Sequence, residues 1–166
     1  MKAVYFGHSG KMVEILFNHF DLKAVVFESS YENLEIINIC EWYNIPYFGI
    51  KSNSDILKLN LLNIDVGISY GIGIIFSPNE INMYKCGIWN IHPGKLPDYR
   101  GRHPISWAMI NNDKYIEITI HQINERIDQG IKLASGIIKR NMDDLESDIL
   151  LKALILIDNK LIKKAI

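Results

Sequence analysis

Residues 89–104 read WNIHPGKLPDYRGRHP, and the rest of the chain is organised around them. The stretch begins as the end of a short apolar strand and leaves it through Pro93-Gly94, a dipeptide typical of a turn. Asn90 and His92 are two positions apart, so their side chains point to the same face of an extended strand. An amide and an imidazole at the point where a strand becomes a loop can bind a carbonyl oxygen and move a proton. The pattern therefore predicts a site in this loop.

The remaining chain alternates apolar runs typical of strands with runs of helical spacing. This alternation indicates βαβ units with right-handed crossovers, and so an α/β fold with a mostly parallel sheet. No linker or internal repeat interrupts the pattern, which predicts a single domain over residues 1–166. Strands are predicted at 2–6, 22–27, 46–48, 66–70, 87–92, 115–121 and 132–138, and the main helices at 11–20, 33–43, 54–61, 104–111 and 145–157.

The same periodicities predict which side chains are buried. The helical residues expected to turn toward the core are Leu34, Ile37, Trp42, Ile105, Trp107, Ala108 and Met109. In the strand that ends at His121, isoleucines alternate with polar residues, which predicts one buried face and one solvent-exposed face. Thr119 and His121 are assigned to the exposed face.

Composition and charge limit the partners and the location of the protein. A chain of 166 residues with 48% hydrophobic residues is typical of one globular domain, and 18 basic against 19 acidic residues show no excess that would favour nucleic acid. The N-terminus lacks the apolar region of a signal peptide, and the most apolar window, 149–157, is too short to cross a bilayer. We therefore expect a cytoplasmic protein with no membrane partner. Cys40 and Cys86 are expected as buried free thiols, with a disulfide as the alternative.

Two separated motifs stand out in the second half of the chain. They are Asn90-x-His92-Pro93-Gly94-x-Leu96-Pro97-x-Tyr99-Arg100-Gly101, followed by Pro104 and Trp107-Ala108, and Thr119-Ile120-His121 followed by Ile127-Asp128-Gln129-Gly130. Together they resemble the motifs of the folate-dependent formyltransferases, although Gly94 departs from the family pattern, in which Ser is common. The resemblance implies a Rossmann-like three-layer domain with a mostly parallel twisted sheet and helices on both faces, and 10-formyltetrahydrofolate as the co-substrate. It also implies a catalytic trio of Asn90, His92 and Asp128.

The resemblance also suggests which residues bind the two substrates. For some of these residues a purely structural role is the alternative to binding. Residues 7–10 could be an ordinary tight turn, residues 71–73 an ordinary strand end, and His103 part of a loop. Thr119 and His121 are expected to support the loop that carries Asp128. The residues expected to bind the folate are Tyr70, Gly71, Ile72, Gly73, Ile74, Ile127 and Gly130, and those expected to bind the acceptor are Gly7, His8, Ser9, Arg100, Gly101 and His103.

The trio suggests how an amine could be formylated. Negative charge develops on the formyl oxygen, where His92 and the Asn90 amide can stabilise it, and Asp128 can take or relay the amine proton. An ionised Asp128 is expected to raise the pKa of His92 and favour its cation. A metal site built from the histidines lacks ligand spacing, so no metal is expected, and no nucleophile-elbow sequence indicates a serine hydrolase.

The acceptor is the least determined part of the prediction. The chain stops at Ile166, whereas the tRNA enzymes of the resembled family carry a further C-terminal domain. His8-Ser9-Gly10 matches poorly the Gly-Ser-Asn phosphate turn of the glycinamide ribonucleotide enzymes. A nucleotide-linked amino sugar is therefore the predicted acceptor. The alternatives are a glycinamide ribonucleotide formyltransferase, a methionyl-tRNA formyltransferase-like fragment, or a non-catalytic folate- or nucleotide-binding module. A homodimer is one possible oligomeric state.

Overall fold

The computed structural model describes residues 1–30, 33–59, 61 and 63–166. It divides into two compact units, Met1–Asn90 and Ile91–Ile166. The strand that carries Asn90 and His92 crosses this boundary. The assignment of residues 1–166 to a single catalytic domain stays a prediction.

The first unit contains parallel strands in the order β3-β2-β1-β4-β5. The order reverses between β1 and β4, whose last residues, Gly7 and Tyr70, lie opposite each other. Ligands of open α/β sheets bind outside the carboxyl ends of the strands at such a reversal. Its elements are β1 (Lys2–Gly7), α1 (Gly10–His19), β2 (Asp21–Glu28), α2 (Leu34–Trp42), β3 (Tyr47–Ile50), α3 (Asn53–Lys58), β4 (Val66–Tyr70), α4 (Pro78–Ile81) and the start of β5 (Ile88–His92).

The second unit is built on the antiparallel hairpin of β6 (Tyr115–Gln122) and β7 (Lys132–Lys139). Helix α5 (Pro104–Ile110) follows the signature loop, residues 93–103. Helix α6 (Glu146–Leu156) continues through a π-helical turn, Ile157–Leu161, into α7 (Ile162–Ala165). The predicted α/β class and its mostly parallel, Rossmann-like strand order are confirmed.

Three predicted core side chains are wrong. Leu34 is 66% exposed and Trp42 is 81% exposed, because α2 buries Ile36 and Cys40, which are four residues apart and share one helix face. Trp107 is 56% exposed, whereas Ile105 and Ala108 of the same helix are buried as expected.

The predicted exposed face of β6 is also wrong at the positions that matter for the site. Thr119 is 0% exposed and His121 is 2% exposed, although both alternate with buried isoleucines. Both faces of the strand are therefore buried over this part of its length. Buried polar groups require hydrogen-bond partners, so these two residues must be satisfied within the protein.

Two further predictions concern the helices and the cysteines. Helix 54–61 was predicted too long: α3 ends at Lys58, and the predicted span includes residue 60, which lies outside the described residues. Both cysteines are free, as expected, but Cys40 is buried whereas Cys86 is partly exposed, so its predicted burial is wrong. Within the described part of the chain, every helix is too short or too polar to cross a membrane. The cytoplasmic location stays a prediction.

Candidate active site

His92 lies at the end of β5 and is buried, with 4% of its surface exposed. Its Nε2 lies 2.6 Å from the carbonyl oxygen of Tyr99 in the signature loop. A carbonyl oxygen only accepts, so Nε2 must donate and carries the proton of the neutral ring. Nδ1 lies on the other side of the ring, 3.6 Å from Oδ2 of Asp128. The ring is thus held between a carbonyl acceptor and a carboxylate.

Burial decides the charge of His92. Removal of the ring from water lowers its pKa below the ordinary value of 6.5. The Asp128 charge and the Tyr99 carbonyl raise the pKa, and His121 lowers it, but burial outweighs the two raising contributions. The expectation that Asp128 would hold His92 as a cation is therefore wrong for the free protein, in which His92 is neutral at pH 7.

Asp128 lies in the loop between β6 and β7 and has a left-handed backbone, with φ of 51°. Its Oδ2 accepts a 2.7 Å hydrogen bond from the backbone N–H of Gly101, and its Oδ1 lies 3.3 Å from Nε2 of His121. Burial raises the pKa of Asp128, but the contacts with His121, Gly101 and His92 together lower it by more than burial raises it. The net shift of the pKa is therefore downward. Asp128 is therefore ionised at neutral pH.

Thr119 and His121 act on two different parts of this cluster. His121 faces Asp128 through Nε2, and its Nδ1 lies 2.9 Å from the carbonyl oxygen of Gln122. The Thr119 hydroxyl donates a 3.1 Å hydrogen bond to the carbonyl oxygen of Gly94. Thr119 thus ties β6 to the signature loop, whereas His121 contacts the carboxylate. The supporting role predicted for the pair stays a prediction.

Gly94 is a residue whose role was missed from the sequence. A Cβ at this position would lie 2.6 Å from Cβ of Pro104 and 2.9 Å from Nε2 of His92. Real Cβ atoms essentially never come as close as the first of these distances. Only glycine lets the loop pass this close to the imidazole. The Pro-Gly dipeptide was the available signal, but it was interpreted only as a turn.

Tyr99 was also missed. Its carbonyl binds His92, and its hydroxyl donates a 2.5 Å hydrogen bond to Oδ2 of Asp113 and accepts a 3.1 Å bond from Asn111. The sequence gives no local signal for the Asp113 contact, because the two residues are 14 positions apart.

The predicted acceptor-binding residues of the signature loop lie in different surroundings. Arg100 donates through Nε to the backbone carbonyl of Asp128 at 3.3 Å, and Gly101 donates to the Asp128 carboxylate. Both residues therefore hold the Asp128 loop. His103 is exposed, with φ of 59°, directly before α5.

The turn after β1, in the first unit, places a carboxylate where a phosphate would bind. Nε2 of His8 lies 3.0 Å from Oε2 of Glu28, and the same oxygen accepts a 3.1 Å hydrogen bond from the N–H of Gly73. Ser9 uses its hydroxyl to cap α1, accepting from the N–H of Met12 at 3.3 Å. Gly7 is closely packed, because a Cβ there would lie 2.3 Å from the carbonyl oxygen of Tyr70. The tight-turn alternative accounts for Gly7 and Ser9.

The predicted donor-binding residues differ in exposure. Tyr70 is 9% exposed, and the apolar side chains of Ile72 and Ile74 are half-buried. Gly71 has φ of 66° with open space where a Cβ would be, so its backbone is accessible to a ligand. In the second unit Ile127 is 59% exposed, whereas a Cβ on Gly130 would lie 1.6 Å from the carbonyl oxygen of Gln122.

Comparison with known proteins connects this geometry to a family. The family model described as Formyl transferase matches residues 51–152, more than half of the chain. The chain belongs to the formyl transferase family.

The relatives differ in length and in their named activities. The chain is 32% identical over 143 residues to a methionyl-tRNA formyltransferase of Mycoplasma genitalium, covering 78% of this chain and 46% of that protein. It is 35% identical over 101 residues to the bifunctional polymyxin resistance protein ArnA of Wigglesworthia glossinidia brevipalpis, covering 58% of this chain and 15% of that protein. It therefore spans less than half the length of these curated relatives.

A solved structure shows the same fold. The crystal structure of phosphoribosylglycinamide formyltransferase from Bacillus halodurans superposes with a TM-score of 0.83 at 18% identity, covering 99% of this chain and 93% of that chain. At this identity the likeness concerns the fold alone.

The buried cluster of this family member has the chemistry of a proton-accepting pair. A neutral imidazole whose Nε2 carries the proton has a basic Nδ1, and here Nδ1 faces an ionised carboxylate. A proton taken up at Nδ1 would form an ion pair with Asp128. No group of three or more His, Cys, Asp or Glu side chains within the described residues is arranged to hold a metal ion.

Proposed function

We propose that this chain transfers a formyl group from 10-formyltetrahydrofolate to the amine of a nucleotide-linked amino sugar. One observation carries the proposal: in a member of the formyl transferase family, His92 and Asp128 come from separate segments of the second unit and lie 3.6 Å apart in a buried cluster. A buried, tuned acid–base pair of this kind favours catalysis over simple ligand binding.

In the proposed reaction the amine nitrogen bonds to the formyl carbon of the donor, and the bond between that carbon and the folate nitrogen breaks. The folate leaves as tetrahydrofolate, and its nitrogen finally receives the proton that the amine gives up. The proton released by the amine goes to the His92–Asp128 pair, with Nδ1 as the accepting atom and the Asp128 charge stabilising the resulting imidazolium. The amide of Asn90, two residues before His92 on β5, is assigned to the developing negative charge on the formyl oxygen. Asn90, His92 and Asp128 are the proposed catalytic residues.

We assign donor binding to two segments, each on its own evidence. In the first unit, the accessible backbone of Gly71 and the half-buried side chains of Ile72 and Ile74 suit a flat ring that needs both hydrogen bonds and apolar contact. In the second unit, the exposed side chain of Ile127 offers a further apolar contact.

The choice of an amino sugar over a ribonucleotide is supported by the turn after β1. Glu28 lies against His8 and Gly73 there, and its negative charge opposes a phosphate monoester. A hydroxyl or an amine of a sugar can instead donate to a carboxylate.

Methionyl-tRNA is the second candidate acceptor, because a methionyl-tRNA formyltransferase is among the relatives. Against it stands the overall balance of 18 basic and 19 acidic residues, since binding of a polyanion usually requires a basic surface.

Competition reactions test the proposal. With 10-formyltetrahydrofolate present, nucleotide-linked amino sugars, glycinamide ribonucleotide and methionyl-tRNA are offered together, and the formylated products are identified by mass spectrometry. Preferential formylation of the sugar is expected. Formylation of another acceptor would reject the sugar but keep the chemistry. Folate binding in calorimetry without any product would favour the non-catalytic binding module, and no folate binding would reject the donor.

A further inference from the structure

The imidazole of His92 has one proton in its neutral form and two competing acceptors. The Tyr99 carbonyl lies 2.6 Å from Nε2, and the Asp128 carboxylate lies 3.6 Å from Nδ1. The carboxylate is the stronger acceptor, and the carbonyl is much closer. Which nitrogen keeps the proton therefore depends on how firmly the Tyr99 carbonyl is held in place.

Tyr99 is held at its backbone and at its side chain. Its N–H donates a 2.8 Å hydrogen bond to the carbonyl of Lys95, which closes a turn within the signature loop. Its hydroxyl donates to Asp113 at 2.5 Å, a short bond to a carboxylate, and bonds of this type are among the stronger ones in proteins. The side chain thus fixes the loop to the segment that follows α5.

Asp113 is itself held by hydrogen bonds of its backbone N–H and its backbone carbonyl. Its N–H donates to the carbonyl of Ala108 at 2.9 Å, which ties it to the last turn of α5. Its own carbonyl accepts a 3.2 Å hydrogen bond from Nη1 of Arg140, just after β7. The phenol of Tyr99 is therefore attached to a short connection, between α5 and β6, that is itself bonded to α5 and to the residue after β7.

We propose that Tyr99 and Asp113 are positioning residues that keep the proton of His92 on Nε2 and so leave Nδ1 as the base that faces Asp128. Neither side chain touches the reacting atoms in this assignment. The catalytic consequence rests on the proposed function, but the position of the proton does not, because it is a property of the free protein.

The groups that face His92 set the direction of the expected change. The Asp128 carboxylate approaches from the β6–β7 loop, His121 from β6, and the Tyr99 carbonyl from the signature loop. If the carbonyl withdraws, Asp128 is the remaining strong acceptor, and it draws the proton to Nδ1. The ring then presents an N–H where the base is needed, and proton transfer from the amine is lost.

Nitrogen NMR of protein labelled with ¹⁵N-histidine measures the tautomer directly. Spectra are recorded at about pH 8, above the ordinary histidine pKa of about 6.5, and the His92 signals are assigned by their loss in His92→Gln. The wild-type ring should carry its proton on Nε2. In Tyr99→Phe and in Asp113→Ala the Nδ1–H form should become populated, and kcat should fall by about tenfold or more with little change in the KM of the donor.

Two further variants separate positioning from general damage. Asp113→Asn keeps an oxygen that can accept from the phenol, so it should retain most of the Nε2–H form and most of the activity. Tyr115→Phe removes a hydroxyl from a tyrosine that is 63% exposed on β6, so it should change neither quantity. If Asp113→Ala fails to fold, Tyr99→Phe, which keeps the ring and the backbone, decides the question alone.

The outcomes separate this inference from the proposed function. A wild-type ring protonated on Nδ1, or an unchanged tautomer in Tyr99→Phe, overturns the positioning role whatever the activity does. A tautomer that shifts as expected in a protein that formylates none of the acceptors offered keeps the positioning role and rejects the catalytic proposal.

Discussion

Substitution of Asp128 by asparagine removes one charge while leaving the surrounding structure in place. Asparagine tolerates the left-handed backbone that Asp128 adopts at φ of 51°. Its amide oxygen can still accept from the N–H of Gly101, which lies 2.7 Å from Oδ2 of Asp128. We therefore expect the loop to keep its conformation.

The distance between Asp128 and His92 gives the size of the effect on turnover. A carboxylate 3.6 Å from Nδ1 stabilises an imidazolium by about 1 kcal/mol in a dielectric of water and about 4–5 kcal/mol at an effective dielectric constant of about 20. Because His92 is 4% exposed, the larger value is the better guide. At about 1.4 kcal/mol per tenfold, this corresponds to a loss in kcat on the order of 10³–10⁴.

Stability should change much less than turnover. Replacing hydrogen bonds to a charged acceptor by bonds to a neutral one costs about 1 kcal/mol. Single-turnover kinetics with saturating donor and acceptor, beside urea unfolding at neutral pH, measure the two quantities. Asp143→Asn, at an exposed position in the loop before α6, is the matched control and should be active and stable. Turnover within a few-fold of wild type in a folded Asp128→Asn protein would refute the ion-pair reasoning.

Three other predictions concern the loop, its support and the effect of pH. Gly94→Ala should destabilise the protein by about 1–3 kcal/mol and lower kcat by about 10²-fold, because the added Cβ would lie 2.6 Å from Pro104 and 2.9 Å from His92. Gly87→Ala is strained by φ of 68°, but its Cβ would make only an ordinary 3.8 Å contact with Ile81, so it should lose stability without losing kcat. Equal kcat losses in the two variants would contradict the steric argument. Thr119→Val should lower the free energy of unfolding in urea by about 1–3 kcal/mol, because it leaves the buried Gly94 carbonyl without its hydrogen-bond donor. Thr119→Ser should retain most of the wild-type stability. An unchanged urea midpoint in Thr119→Val would show that the hydrogen bond is dispensable. Burial lowers the pKa of His92, so the contribution of its neutral ring to stability should be full above pH 6.5 and be lost as the pH falls toward the lower folded pKa. Thermal unfolding between pH 7 and 5 should therefore show a decrease in melting temperature that is flatter in His92→Gln than in the wild type. An identical slope in the two proteins would contradict the pKa shift.

The order of strands and helices could be predicted from the sequence because it depends on local periodicity. Burial could be predicted less well, since it depends on which face of a helix meets the sheet. Leu34 and Ile36 are both apolar, yet Ile36 is fully buried and Leu34 is 66% exposed. Hydrophobicity alone does not distinguish two positions that lie on different faces of one short helix.

The components of the candidate site could be predicted, but their charge and orientation could not. His92 and Asp128 were recognised through motifs, and the structure brings them together. The charge of His92, however, depends on its burial and on the Tyr99 carbonyl, and neither is visible in a motif. The Tyr99–Asp113 bond is equally hidden, because only the fold brings those side chains within hydrogen-bond distance.

The geometry of the β6–β7 loop explains why the second motif contains both an aspartate and a glycine. The N–H of Gln122 bonds to the carbonyl of Ile131, which brings the ends of the loop together, and Gly130 then lies so close that its Cβ would be 1.6 Å from the Gln122 carbonyl oxygen. Only glycine permits this closure, and closure is what carries Asp128 toward His121. Substitution of Gly130 should therefore reproduce the loss of Asp128 whether or not the glycine touches the donor. Donor contact in this loop is better tested at Ile127, whose 59% exposed side chain can be shortened without disturbing the closure.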